Sequence, residues 1–189
     1  LEEDFHKHLC GMLFWTRVYL NLHTGMEPST KTSHLSNPQY DLYWEGIIYY
    51  PEIDEGEPSL RKFLEGLRQS TNDNEILEHI NGLRGSWTLF IHDHGQKRWM
   101  AFSDHSHQCS LFFSDTSVSN SFLRLRAEVH DKTNADEEAL LCFLYSGYCY
   151  TKSIFYSGIS KLDYHDYIEI KESISVRSKR LPDVFAGKI

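Results

Sequence analysis

The 189 residues carry 27 acidic and 19 basic side chains, a formal charge of −8, with 40% hydrophobic residues, 14% aromatics and 11 histidines. One domain's worth of chain with this much apolar and aromatic surface can bury a core, which excludes disorder. The acidic balance excludes a nucleic-acid role, because phosphate binding needs a basic stripe and the one dense basic run, Arg177, Lys179 and Arg180, reads as a solvated tail.

In chain order, residues 13–22 are aromatic and β-branched with alternation in their second half, the signature of a half-buried strand. Residues 23–39, with one glycine, two prolines and clustered Ser, Thr and Asn, read as a long loop. A second strand is expected over 42–50, closed by the acidic turn 51–58. Leu60, Phe63, Leu64 and Leu67 then recur at helical spacing and predict an amphipathic helix. A shorter helix follows, capped by Asn72 or Asp73, bringing Ile76, Leu77 and Ile80 onto one face and stopping at Asn81-Gly82.

Runs 86–93 and 97–103 suit two strands of a hairpin joined through Asp93-His94-Gly95-Gln96, and Leu111 to Phe113 continues the β pattern. Thr133 or Asn134 is expected to cap a helix with Asp136, Glu137 and Glu138 in its first turn, an apolar face of Leu140, Leu141 and Leu144, and Gly147 at its end. Residues 153–176 return to short strands. This order is α+β with largely antiparallel sheets rather than regular βα alternation.

No apolar run approaches the roughly 18 residues that span a bilayer, and Leu1 to Asp4 is acidic where a secretory leader is basic, so a cytoplasmic chain with no membrane partner is expected. Cys10, Cys109, Cys142 and Cys149 form no Cys-x-x-Cys pair, which predicts neither a disulfide nor a structural zinc. His92-x-His94 and Asp104-His105-x-His107 could each turn two imidazoles to one face of a strand. Against a metal site stands the absence of a third ligand at a fixed spacing, and no metal ligand is assigned. Among the thiols, Cys142 lies on an apolar helix and Cys109 and Cys149 have no recognisable activating partner. Cys10 is followed by Gly11 and an apolar strand.

Cys10-Gly11-Met12-Leu13-Phe14, the strand at 42–50, and Ile80-Asn81-Gly82-Leu83-Arg84-Gly85-Ser86-Trp87 running on to Asp93 together resemble the glutaminase domain of asparagine synthetases. The likeness continues through the strand ending Ser103-Asp104, through Leu111-Phe112-Phe113, and through Phe143-Leu144-Tyr145-Ser146-Gly147-Tyr148. It extends over Ile154 to Leu162 and Tyr167-Ile168-Glu169-Ile170, so that nearly the whole chain is covered in order. The resemblance implies a class II (N-terminal-nucleophile) glutamine amidotransferase fold, a four-layer αββα sandwich of two mainly antiparallel sheets, Ntn-hydrolase-like. It implies a single glutaminase-like domain over 1–189, with 1–9 an N-terminal extension and 177–189 the start of a linker to a synthetase domain.

The same resemblance implies Cys10 as the nucleophile. In this family the α-amino group of an N-terminal cysteine is the base, and here residues 1–9 precede Cys10, so the role requires their removal. The Arg-Gly-Pro that would hold a glutamine carboxylate has no counterpart, since residues 23–39 contain no arginine. The Asn-Gly-Glu of the oxyanion hole aligns on Trp44-Glu45-Gly46, which puts a tryptophan where an amide donor is needed. Glu57 could stand in for the carboxylate that grips the substrate's amino group.

Substrate contacts thus fall on Trp44, Glu45, Gly46 and Glu57, and the expected function is a degenerate glutaminase-like domain of an asparagine-synthetase-like protein with a structural or assembly role. Its partner would be a C-terminal synthetase-like domain, with a homodimer as a second arrangement. No cofactor is expected for this chain, ATP and magnesium belonging to the synthetase domain, whose pyrophosphate loop is absent from the sequence. Two alternatives stand beside it: an active glutaminase that releases ammonia from glutamine through Cys10, and a metal- or ligand-binding module built on His92, His94, His105 and His107.

Overall fold

Two ten-residue strands, β4 (Tyr40–Tyr49) and β5 (Arg84–Asp93), pair antiparallel along their full length and form the spine of the molecule. The computed structural model describes residues 19–21, 25–27, 32–50, 57–106, 108–129, 134–146 and 153–179. Around the spine, β3 (Ser33–Ser36), β6 (Arg98–Ser103), β11 (Asp166–Ile170) and β12 (Ile174–Ser178) complete a six-stranded sheet in the order β12-β11-β6-β5-β4-β3. A second six-stranded sheet has the order β2-β1-β8-β7-β10-β9, from β1 (Tyr19–Asn21), β2 (Gly25–Glu27), β7 (Phe112–Phe113), β8 (Ser117–Ser119), β9 (Ser153–Ile154) and β10 (Tyr156–Lys161). Every strand pairing in both sheets is antiparallel.

Strand alternation sorts the side chains into layers. On one face of the first sheet, Leu42, Trp44, Leu89, Ile91, Met100 and Phe102 pack against helix α1 (Glu57–Gln69) and helix α2 (Asp73–Gly82), which contribute Leu60, Phe63, Leu67, Ile76 and Ile80. On the opposite face, Phe90, Ala101 and Ile168 meet Leu20, Val118 and Leu162 of the second sheet's side. Beyond that sheet, Leu125 and Val129 of helix α3 (Phe122–Val129) pack on Ile159, with helix α4 (Glu137–Ser146) following. The result is the αββα sandwich expected. Because β5 is covered on both faces, Trp87 to Ile91 are all buried, and the simple in-out alternation of a half-exposed strand disappears there.

Helix α2 is capped by Asn72, whose side chain accepts from the Glu75 N–H at 3.1 Å. The β5–β6 hairpin forms as predicted, with Lys97 at a positive φ of 50° in its turn. Residues 23–39 depart from the expected loop, because β2 and β3 lie within them. The β3 strand is a polar edge strand with only Leu35 buried, so its pairing with β4 supplies what its own pattern does not announce. Helix α3 and β8 were not predicted, being eight and three residues long and too short for a clear period.

Three further expectations are corrected. Asp136, rather than Thr133 or Asn134, caps α4, accepting from the Ala139 N–H at 2.9 Å. The predicted apolar face of α4 is exposed at Leu140, Leu141 and Leu144, and the helix buries Ala139 instead. Lys179, read as part of a solvated tail, is buried at 2% exposure just after β12, which ends at Ser178. Cys10, the 1–9 extension, His107, Cys149 and residues 180–189 lie outside the described residues. Among the described residues, no helix is long and apolar enough to cross a membrane.

Candidate functional site

Glu45 and Gly46 on β4, Thr88 on β5, Gln108, Cys109 and Ser110 after β6, and Asn120 after β8 line a cleft of about 260 Å³ at one end of the inter-sheet layer. Successive strand residues point to opposite faces, which decides what enters it. Trp44 turns its ring into the core beneath α1 and α2, so the tryptophan expected among the substrate contacts is withdrawn from the cleft. Its neighbour Glu45 therefore faces inward, 3% exposed, accepting hydrogen bonds from Asn120 Nδ2 at 2.6 Å and Thr32 Oγ1 at 3.0 Å. Asn120 Nδ2 also lies 3.4 Å from Thr88 Oγ1. Glu57 opens α1, and its side chain lies outside what is described.

Gly46 adopts φ +95°, and a Cβ there would sit 2.2 Å from the Ser86 carbonyl oxygen of the paired strand, so only glycine fits this close approach. The floor of the cleft is thus a buried carboxylate beside a glycine backbone.

The wall carrying Cys109 is held by Asp104, which is fully buried. Its carboxylate accepts from Ser106 Oγ (2.6 Å) and from the N–H groups of Ser106 (2.8 Å), Cys109 (2.8 Å), Gln108 (3.3 Å) and Trp87 (3.3 Å). Burial pushes the Asp104 carboxyl up, but the hydrogen bonds from Ser106, Cys109 and Gln108 together outweigh it and hold the group below its ordinary value. The Cys109 thiol is pushed up to about 11 by burial, then by the charge of Asp104 and a hydrogen bond to it. Cys109 is therefore a protonated thiol at neutral pH and a poor nucleophile. Ser86 Oγ donates to Gln108 Oε1 and ties the loop to β5.

The two histidine motifs separate. His105 sits edge-on to Trp87 with its rings 6.4 Å apart, and burial, then Lys179 and Arg84, push its imidazole down from the ordinary value. His92 and His94 do come together, with ring centroids 4.5 Å apart, and they meet a residue that local spacing could not supply. Asp41, opposite His92 in the β4–β5 register, places Oδ2 3.0 Å from His94 Nε2 and 3.7 Å from His92 Nδ1. Burial and the neighbouring His94 push the His92 imidazole down. The sequence signal that reaches Asp41, Glu45, Thr88 and His92 is the two-residue period of β4 and β5, which puts 41, 43 and 45 on one face with 88, 90 and 92.

No protein-family model matches the sequence, and no curated protein matches it either. Among solved structures, the chain is similar to a glutamine phosphoribosylpyrophosphate amidotransferase from B. subtilis complexed with ADP and GMP, at 8% identity, TM-score 0.41, over 82% of this chain and 32% of that one. A second structure, described as the allosteric regulatory enzyme of purine biosynthesis, is similar at 8% identity, TM-score 0.42, over 78% of this chain and 30% of that one. The chain spans about a third of the length of those proteins.

Proposed function

We propose that this chain is a glutamine amidotransferase type-2-like domain of an asparagine-synthetase-like protein, that it has lost glutaminase chemistry, and that it serves to pack against a synthetase-like partner domain. The ordered motifs of the sequence and the αββα layering support the first part of this reading. The observation that carries the second is Glu45. An oxyanion hole needs donors aimed at the negative charge that develops on the substrate oxygen, and a buried carboxylate beside Gly46 offers acceptors and a like charge instead. The cleft's cysteine does not repair the loss, since its thiol stays protonated at neutral pH.

An assembly role is supported by α4, where Leu141, Leu144 and Tyr145 are 60%, 70% and 94% exposed. Contiguous exposed apolar side chains of this size favour contact with another protein surface. ATP and magnesium would belong to the synthetase-like domain and not to this one.

The test is glutamate release from glutamine, assayed together with intact mass, for the chain beginning at Leu1 and for one beginning at Cys10. No release above buffer from either chain is expected. Release by the Cys10-initiated chain, abolished by Cys10→Ala, would establish the active glutaminase in place of this reading.

A further inference from the structure

Four residues along β4 from Glu45, at the Tyr40–Asp93 end of the β4–β5 ladder, three side chains with donor atoms come together. Asp41, His92 and His94 each offer one donor atom within 4.8 Å of the other two. Zinc bonds to imidazole nitrogen and carboxylate oxygen are about 2.0–2.2 Å, so donors around a tetrahedral ion stand about 3.3 Å apart. The 3.0 and 3.7 Å separations from Asp41 Oδ2 to the two imidazoles bracket that distance.

The groups are held there by their surroundings. The His92 ring stacks on Trp99, centroids 4.4 Å apart and planes 12° from parallel, which fixes its rotation. His34, stacked on Tyr43 at 4.3 Å, places Nε2 3.7 Å from the other Asp41 oxygen, leaving Oδ2 turned toward His92 and His94. The His94 N–H donates to the Gln39 carbonyl at 2.9 Å and anchors the start of the hairpin turn. All of these side chains are only partly covered, so an ion has a path from solvent.

We propose that Asp41, His92 and His94 form a binding site for a divalent transition-metal ion of the zinc or cobalt class, the remaining coordination positions being filled by water. Two imidazoles and one carboxylate, from β4, β5 and the turn that follows β5, match the donor preference of such ions and not that of calcium or magnesium, which take oxygen ligands. The ion would join β4 to the β5–β6 hairpin. The site lies away from Glu45 and Cys109, and stands or falls independently of the glutaminase reading.

The untagged chain is titrated with Zn(II) against a chromophoric chelator and with Co(II) followed by visible absorption. Saturation at one ion per chain is expected, with thermal stabilisation by Zn(II), because an ion that binds only the folded state raises its melting temperature. Asp41→Asn, His92→Ala and His94→Ala should each weaken the affinity at least about tenfold, the low end of what the loss of even an outer partner of a metal site costs. His165→Ala, as a control, should leave it unchanged. Circular dichroism of the metal-free variants separates a lost ligand from a lost fold, and His94→Ala, in the exposed turn, decides the matter where a strand variant fails to fold. Binding of less than one ion per chain, or an affinity that the His94 substitution leaves intact, would overturn the proposal.

Discussion

Arg98 and Asp73 form a two-pronged ion pair across the boundary between sheet and helix, with Nη1 3.0 Å from Oδ2 and Nη2 2.5 Å from Oδ1. Arg98 is 1% exposed on β6, and its guanidinium also reaches Glu169 Oε2 on β11 at 2.9 Å and Asp93 Oδ2 on β5 at 3.5 Å. One cation therefore fixes the N-terminus of α2 to three strands of the first sheet. Asp73 sits in the first turn of α2, where a carboxylate also meets the positive end of the helix dipole.

Arg98→Ala is expected to cost about 3–5 kcal/mol, because it takes the buried cation from the carboxylate of Asp93 and leaves Glu169 to the longer, partly exposed contacts with Arg177 and Lys171. Asp73→Asn should cost clearly less, since the Asp73 side chain is half exposed. Urea unfolding followed by tryptophan fluorescence measures both. Equal losses would show that the pair, rather than the buried carboxylates, sets the energy. The hydrogen bond from Arg98 holds the Asp73 carboxyl below its ordinary value, so its contribution is present above the unfolded value of about 3.9 and is lost as the pH falls through the lowered folded value.

Gly46→Ala should destabilise the fold by about 1–3 kcal/mol from backbone strain alone, with more from the contact that its Cβ would make with the Ser86 carbonyl. Backbone cannot move aside as a flexible side chain can, so the β4–β5 ladder must shift. Amide exchange should rise first at Ile47 and Trp87. An alanine variant as stable as the parent would show that this pairing is not as close as the geometry indicates.

Lys179 gives a pH signature of its own. Its ammonium donates to the Ser103 carbonyl at 3.2 Å, and burial lowers its pKa to about 8. The folded chain then releases this proton before the unfolded chain does, whose lysine titrates near 10.4, so the unfolded state binds more protons between these values. Stability contributed by this group should rise from pH 8 toward pH 10, by on the order of 1–3 kcal/mol. Lys179→Met should flatten that rise, as read from denaturation midpoints across the range. An unchanged profile would mean that the amine is hydrated in solution.

Cys109 should resist alkylation. Its thiol titrates at about 11, so iodoacetamide labelling mapped by peptide mass spectrometry should be slow at pH 7 to 8 and accelerate only as the pH is raised. Asp104→Asn removes the charge that helps to raise the thiol and should speed labelling at a given pH. Rapid modification of Cys109 in the parent at neutral pH would contradict the protonated state that excludes it as a nucleophile.

The local periods of the chain determined a good deal. The i, i+3, i+4, i+7 stripe from Leu60 to Leu67 and the cap at Asn72 specify α1 and α2, and the apolar runs on either side of Gly95 specify the β5–β6 hairpin. The layered class follows from the order of such elements, since each apolar face must be covered by another. These signals are readable because they depend on neighbours within two turns of helix or a few strand residues.

Only the tertiary structure decided which distant groups meet. Asp41 joins His92 and His94 because the β4–β5 register sets residues 51 positions apart side by side, and a one-residue slip would have sent every one of them to the other face. The same register turns Trp44 into the core and Glu45 into the cleft, and so decides the chemistry of the site. Lys179 is buried because the end of β12 folds back over the β6 terminus, where Ser103 offers a carbonyl. On α4 the sequence supplies an apolar helix, but the packing of its small residue Ala139 leaves the large ones outward. Periodicity says that a face is apolar or polar; what covers that face depends on contacts between segments far apart in the chain, and those are fixed only when the sheets and helices close on one another.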